Sequence, residues 1–433
     1  MDSVRGLAEI PAARRWRRGG ATVDEGASRR RLSVRRNPSI DALRGAAILG
    51  TLASNIWIFS TRHNTAPTAV ESAHAHAGLD PVHFAPWSHW RSLDGALALL
   101  VECLCNGKFL ALLSILFGVG MCAQYEAAQR HGLRWPWRYY WRTLLLLLDG
   151  VLHHLFVVEF DILMGYAVTA FVVAPLLALR ARAAAGVTLL CALVHGLAEA
   201  KRAADAVRTA GVSLVGDDVT LELMSATSHS YWAQVAARWE HFWAYRTEAL
   251  VIAPPLSATL FLTGAALWRA GLFEAGDRAR ALRVRLALVG VGVGAPLTVL
   301  PTLEVLSPNA GLVLLSLQRY TVAPILAFGY LGVGLLALER LREGSVRARL
   351  AEIGRASLSC YMLQNVLCAS LFYHWGLGLA PMSSARTMLV WLALSVALAA
   401  FAWAWFRRYR NGPFEALWKA LSEAPFRARD QRS

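Results

Sequence analysis

Ten long apolar stretches divide this chain, and short polar connections separate them. Their cores fall at 42–60, 106–125, 139–158, 161–179, 184–200, 248–268, 285–303, 319–338, 357–376 and 387–406. Each holds about 17–22 residues, the length at which a helix crosses a ~30 Å hydrocarbon layer. Leu93–Leu104 is a further apolar run, too short to span and read as an interfacial or re-entrant helix before the second stretch. The pattern predicts an all-α fold, a polytopic transmembrane bundle of about ten spans.

Positive residues orient it. Arg130, Arg134 and Arg138, then Arg180 and Arg182, then Arg269, Arg278, Arg280 and Arg283, then Arg340, Arg342, Arg347, Arg349 and Arg355 fall in alternate connections. Arg407, Arg408, Arg410 and Lys419 follow the last stretch. With these sides cytoplasmic, both termini are inside, while connections 61–92 and 304–316 are nearly free of Lys and Arg. Residues 1–37 read as a disordered, Arg-rich cytoplasmic tail with no apolar run and no secretory signal. Residues 38–421 form the membrane domain and 422–433 a basic C-terminal tail.

Composition supports this reading. The chain has 433 residues, is 56% hydrophobic, and its mean hydropathy is +0.40. An ordinary soluble globule is excluded. The net charge of +15 belongs to loops between apolar runs, so it marks orientation and not a nucleic-acid partner. The implied partners are the lipid bilayer and, optionally, a second copy in a homodimer. Cys103, Cys105, Cys122, Cys191, Cys360 and Cys368 show no zinc spacing and read as small buried residues; no metal is implied.

The candidate chemistry lies in polar residues inside apolar stretches, where lipid offers no hydrogen-bonding partner. Ile353–Leu379 carries Arg355, Ser357, Ser359, Gln364, Asn365 and His374; helix–helix bonding is the alternative use of such groups. Gln364 and Asn365 are 100° apart on a helix and cannot share one direction. Asp41 lies three residues before Arg44, so the two share a face. Arg44 either snorkels to lipid phosphate or grips an anion inside. Asp149 precedes His153 by four residues, so a carboxylate and an imidazole can meet, leaving the second ring nitrogen for proton transfer. Asp161 opens the fourth stretch, as helix cap or as partner to the same imidazole, and Tyr166 follows by five residues. His154, rotated 100° from His153, is not expected to share its role.

Several of these residues sit in blocks that resemble a known family. GRASLSCYMLQ (354–364), NPSIDALRGAAILGTLASN (37–55), GKFLALLSILFGVG (107–120), GVLHHLFVVEFDILMGYAVTA (150–170) and RNGPFEALWKAL (410–421) resemble, in order, blocks of the YeiB-like family of bacterial polytopic membrane proteins. In that pattern Lys108 matches GKFL, His153 matches GxxH, and Gln364 rather than Asn365 fits the final block. The first block is also similar to the opening helix of transmembrane acyltransferases of the heparan-α-glucosaminide N-acetyltransferase and acyltransferase family 3 type. That resemblance implies an active-site role for Asn55. It also implies a histidine shortly afterwards, and His63, His74, His76, His83 and His89 do not match its spacing.

Two functions follow as expectations. The first is an acyltransferase of the bacterial cytoplasmic membrane. Acyl-CoA, as co-substrate, approaches Arg44 and Arg142 from the cytoplasm and yields its acyl group to a hydroxyl or amine near the outer face. His153 is the base, Asp149 or Asp161 orients it, and Asn55 or Lys108 meets the oxyanion; Tyr166 and Gln364 line the substrate site. The alternative is a small-solute transporter or exporter that uses the same polar cluster.

Overall fold

In the computed structural model, residues 37–61, 92–159, 161–209, 230–303, 306–341 and 344–430 are described, and no strand occurs among them. The helices are α1 Pro38–Thr61, α2 Leu93–Leu104, α3 Lys108–Arg130, α4 Trp137–Phe156, α5 Leu163–Leu176, α6 Ala181–Thr209, α7 Tyr231–Glu240, α8 Phe242–Thr247, α9 Pro254–Arg269, α10 Asp277–Val299, α11 Pro308–Ser316, α12 Ala323–Arg340, α13 Ser345–Arg355, α14 Ser357–Phe372, α15 Ser384–Phe406 and α16 Pro413–Asp430.

A helix occupies each of the ten apolar stretches, and among the described residues six helices are long and apolar enough to cross a membrane, judged by length and composition. These six run Pro38–Ser60, Leu93–Arg130, Ala181–Arg208, Asp277–Leu303, Gln318–Arg340 and Ser384–Phe406. The others fall short for physical reasons. α5 has 14 residues, about 21 Å of rise, and α14 has 16, about 24 Å, both below the ~30 Å layer. α4 carries Arg138, Arg142 and Asp149 within its 20 residues. The stretch at 248–268 is interrupted by a π-helical turn over Glu248–Ile252 before two prolines start α9. The short run before the second stretch is helical as predicted. Gly107, at φ 71°, bends the chain between α2 and α3. α16 continues through the expected boundary at residue 422.

Small residues let the helices close on one another. Gly45 and Gly354 bring the backbones of α1 and α13 together, so that a β-carbon on Gly354 would overlap the Asp41 carbonyl. Gly118 and Gly264 do the same for α3 and α9. Ile56, Met121, Ala170, Phe261 and Phe372 belong to one buried apolar cluster that joins α1, α3, α5, α9 and α14. Val158, in the non-helical break that follows α4, belongs to the same cluster.

Candidate functional site

The turn exists because α4 and α5 cannot be one helix: the chain leaves helical geometry at Val157. Asp161 restarts it, its Oδ2 accepting from the Met164 backbone N–H at 3.1 Å, which satisfies an orphan donor at the start of α5. Its Oδ1 accepts from His153 Nδ1 at 2.9 Å, and both side chains are wholly buried. Tyr361 of α14 also donates to Oδ1, at 3.4 Å, and its ring stands edge-on to the imidazole with centroids 5.2 Å apart. A proton held on Nδ1 by the carboxylate leaves Nε2 as the acceptor, and Asn365 Nδ2 faces it at 3.4 Å. The imidazole is therefore fixed in orientation and tautomer, with its basic nitrogen turned to α14.

A second layer covers the turn. Arg246 of α8 donates to the Glu159 carbonyl at 2.9 Å and to the Asp161 carbonyl. Arg238 of α7 pairs with the Glu159 carboxylate at 3.0 Å, with both side chains 1% exposed, and donates to the Leu155 carbonyl at 3.3 Å. Tyr373 donates to the same Glu159 oxygen at 2.9 Å. Gln234 Oε1 accepts from Arg238 at 3.4 Å and from the Trp375 indole at 3.0 Å. A buried guanidinium and carboxylate are costly unless their remaining hydrogen-bonding positions are occupied; here tyrosine, glutamine and a backbone oxygen occupy several of them, while Arg238 Nε has no partner.

Of the predicted residues, His153 and Asp161 meet. Asp149 does not hydrogen-bond His153, and its Oδ2 is buried without a partner; Asp161 takes the orienting contact because the turn carries it onto Nδ1. His154 is buried too, but its Nδ1 donates to the Glu159 carbonyl at 3.3 Å, on the α8 side. Tyr166 turns to α3, bonding Ser114 at 2.7 Å and the Leu110 carbonyl at 3.2 Å. Lys108 is buried with Nζ donating to the Glu102 carbonyl at 2.7 Å, within its own bend. Asn55 is half-buried on α1, and no hydrogen bond joins it to His153 or Asp161. Arg44 stands 3.6 Å from Asp41, and Arg142 lies over the Trp418 ring of α16 at 4.4 Å. Gln364 is wholly buried, yet neither its Oε1 nor its Nε2 has a partner. Asn365, not Gln364, reaches the imidazole. The five loop histidines from His63 to His89 lie outside the described residues.

The sequence reading passed over Tyr361, Tyr373, Arg238 and Arg246. A helical period was available for two of the site residues: Gln234 and Arg238, four apart, share one face of α7, and Arg246 follows on α8.

Among the described residues the structure is all-helical, and six helices are long and apolar enough to cross a membrane, which makes this a multi-span membrane protein. The family described as "Protein of unknown function (DUF418)" matches residues 267–424. "Uncharacterized protein YxaH" of Bacillus subtilis (strain 168) is 26% identical over 400 residues, covering 88% of this chain and 93% of the relative. "Uncharacterized protein YeiB" of Escherichia coli (strain K12) is 29% identical over 419 residues, covering 90% and 97%. Both similarities run over nearly the whole length of the chain. No solved structure matches it significantly.

Proposed function

We propose that the protein is an acyltransferase of the bacterial cytoplasmic membrane, with ten spans and both termini cytoplasmic, and that His153 is its general base. One observation supports this above the rest: a fully buried imidazole whose Nδ1 is held by Asp161 and whose Nε2 faces Asn365. Such an arrangement keeps one nitrogen basic and aimed. In the reaction, Nε2 removes the proton from an acceptor hydroxyl or amine as that atom attacks the thioester carbonyl of acyl-CoA. The new carbon–oxygen or carbon–nitrogen bond forms, the carbon–sulfur bond breaks, and the thiolate leaves and regains the proton from the imidazolium. Asn365 Nδ2 and the Tyr361 hydroxyl are the donors nearest the imidazole and are assigned to the oxyanion. Arg44 and Arg142 remain the groups assigned to the phosphates of the donor.

The test is acyl-CoA turnover by the purified protein. His153→Ala is expected to lower it by about 10²–10⁴-fold, the usual value of a general base, while the protein stays abundant in the membrane. His154→Ala is expected to retain most of it. Equal losses in both variants, or full activity in His153→Ala, would remove the assignment.

A further inference from the structure

The helix pair α7–α8 has two faces of opposite character. Gln234, Arg238 and Arg246 are buried against the turn of the site. Trp232, Trp239 and Trp243 are 69%, 70% and 68% exposed. Trp232 and Trp239 are seven residues apart on α7, so about 20° separates them around the helix. Trp243 continues the row on α8, past the break at His241. Three exposed indoles in a row form an apolar patch that water does not favour.

Its position indicates what covers it. α4 carries an exposed apolar row of its own, Leu144, Leu148, Leu152 and Phe156, whose four-residue spacing keeps it on one side of the helix. The row ends at Phe156, and there the Tyr231 hydroxyl donates to the Phe156 carbonyl at 2.8 Å. Trp232 is the next residue. The aliphatic face of a helix suited to lipid thus passes into a face of tryptophans at that helix's end. Indole combines a large apolar ring with one N–H donor, and it settles at the headgroup level of a bilayer for that reason.

We propose that α7–α8 lies in the lipid–water interface at the end of α4, with Trp232, Trp239 and Trp243 inserted among the headgroups and upper acyl chains. This rests on the reading that α4 crosses the membrane. The same helix pair then has one face on the lipid surface and the other on Glu159 and Asp161, so the cover of the His153 site is anchored in the bilayer.

The experiment compares tryptophan emission of the full-length protein in phosphatidylcholine bilayers with that of the triple variant Trp232→Phe, Trp239→Phe, Trp243→Phe. Phenylalanine keeps the face apolar; if the triple variant does not accumulate, Trp239→Phe alone gives the same difference at smaller amplitude. The emission lost in the variant is expected to be quenched most by lipids brominated high on the acyl chain. It is expected to be quenched less by bromines at the chain end and least by aqueous acrylamide. Strong acrylamide quenching without bromolipid quenching would overturn the proposal, because the indoles would stand in water. Insensitivity to both would overturn it in favour of a protein partner or a second copy, and strongest quenching by chain-end bromines would overturn it in favour of deep burial. Leu148→Trp in the triple-variant background reports on α4 separately. Its added emission is expected to be quenched best by chain-end bromines, and failure there strikes the reading of α4 rather than that of α7–α8.

Discussion

His153 and Asp161 are separated by eight residues and a break in the helix, and the break is what unites them. Asp161 has two duties: it caps α5 through Met164 and it holds Nδ1. Asp161→Asn is therefore expected to keep the capping acceptor but lose the fixed tautomer, lowering acyl-CoA turnover by at least about 10²-fold. Asp149→Asn, which breaks no hydrogen bond to the imidazole, is expected to stay near wild type. A pH-controlled turnover assay on both variants checks the pair, and the reverse ranking would restore Asp149 as the orienting group. The Glu159–Arg238 pair makes a different prediction. Glu159→Leu or Arg238→Met alone strands a buried charge and is expected to cost about 3–5 kcal/mol. The double variant removes both charges and is expected to recover most of that loss in thermal unfolding. Additive losses would show that the two side chains do not act as a pair.

Among the elements, close backbone approach decides which helices are neighbours. α1 meets α13 at Gly45 and Gly354, and α3 meets α9 at Gly118 and Gly264, where any β-carbon overlaps facing backbone. Gly118→Leu is expected to push α3 from α9 and cost at least about 1–3 kcal/mol, as overpacking does. Gly186 of α6 has nothing within 4 Å, and Gly186→Leu is expected to leave the melting temperature in detergent nearly unchanged. A melt in which both changes cost the same would mean that α3 and α9 do not pack as described. The short helices α5 and α14 belong to the same scale. α5 starts just after Asp161, while α14 supplies Tyr361 and Asn365 from its body, with Tyr373 just past its last residue.

For the whole molecule, the Arg distribution predicts that reporters fused after residues 130, 310 and 415 read inside, outside and inside. An outside reading at 415 would invert or break the ten-span arrangement. The helical class, the presence of a helix in each apolar stretch and the short α2 were legible in the sequence, because long apolar runs have few other uses in a chain with this composition. The breaks within stretches were not: a π turn precedes α9 in 248–268 and another precedes α12 in 319–338. His153 and Asp161 were legible as candidates, since ionisable groups in apolar stretches are costly without a purpose. Their pairing was not. Helical period favoured Asp149, four residues away, and only the turn at 157–162 brings Asp161 onto Nδ1. In the same way a motif favoured Gln364, while the rotation of α14 delivers Asn365 and Tyr361 to the imidazole. Arg238 and Arg246 join the site only because α7 and α8 fold over Glu159 and Asp161. Sequence alone determined which residues are too polar for lipid and which stretches are too apolar for water, because transfer free energy is a local property of each side chain. Which polar group answers which was decided by the tertiary structure, because hydrogen bonds require contact within about 3 Å, and contact between distant segments is set by how the helices break, rotate and pack.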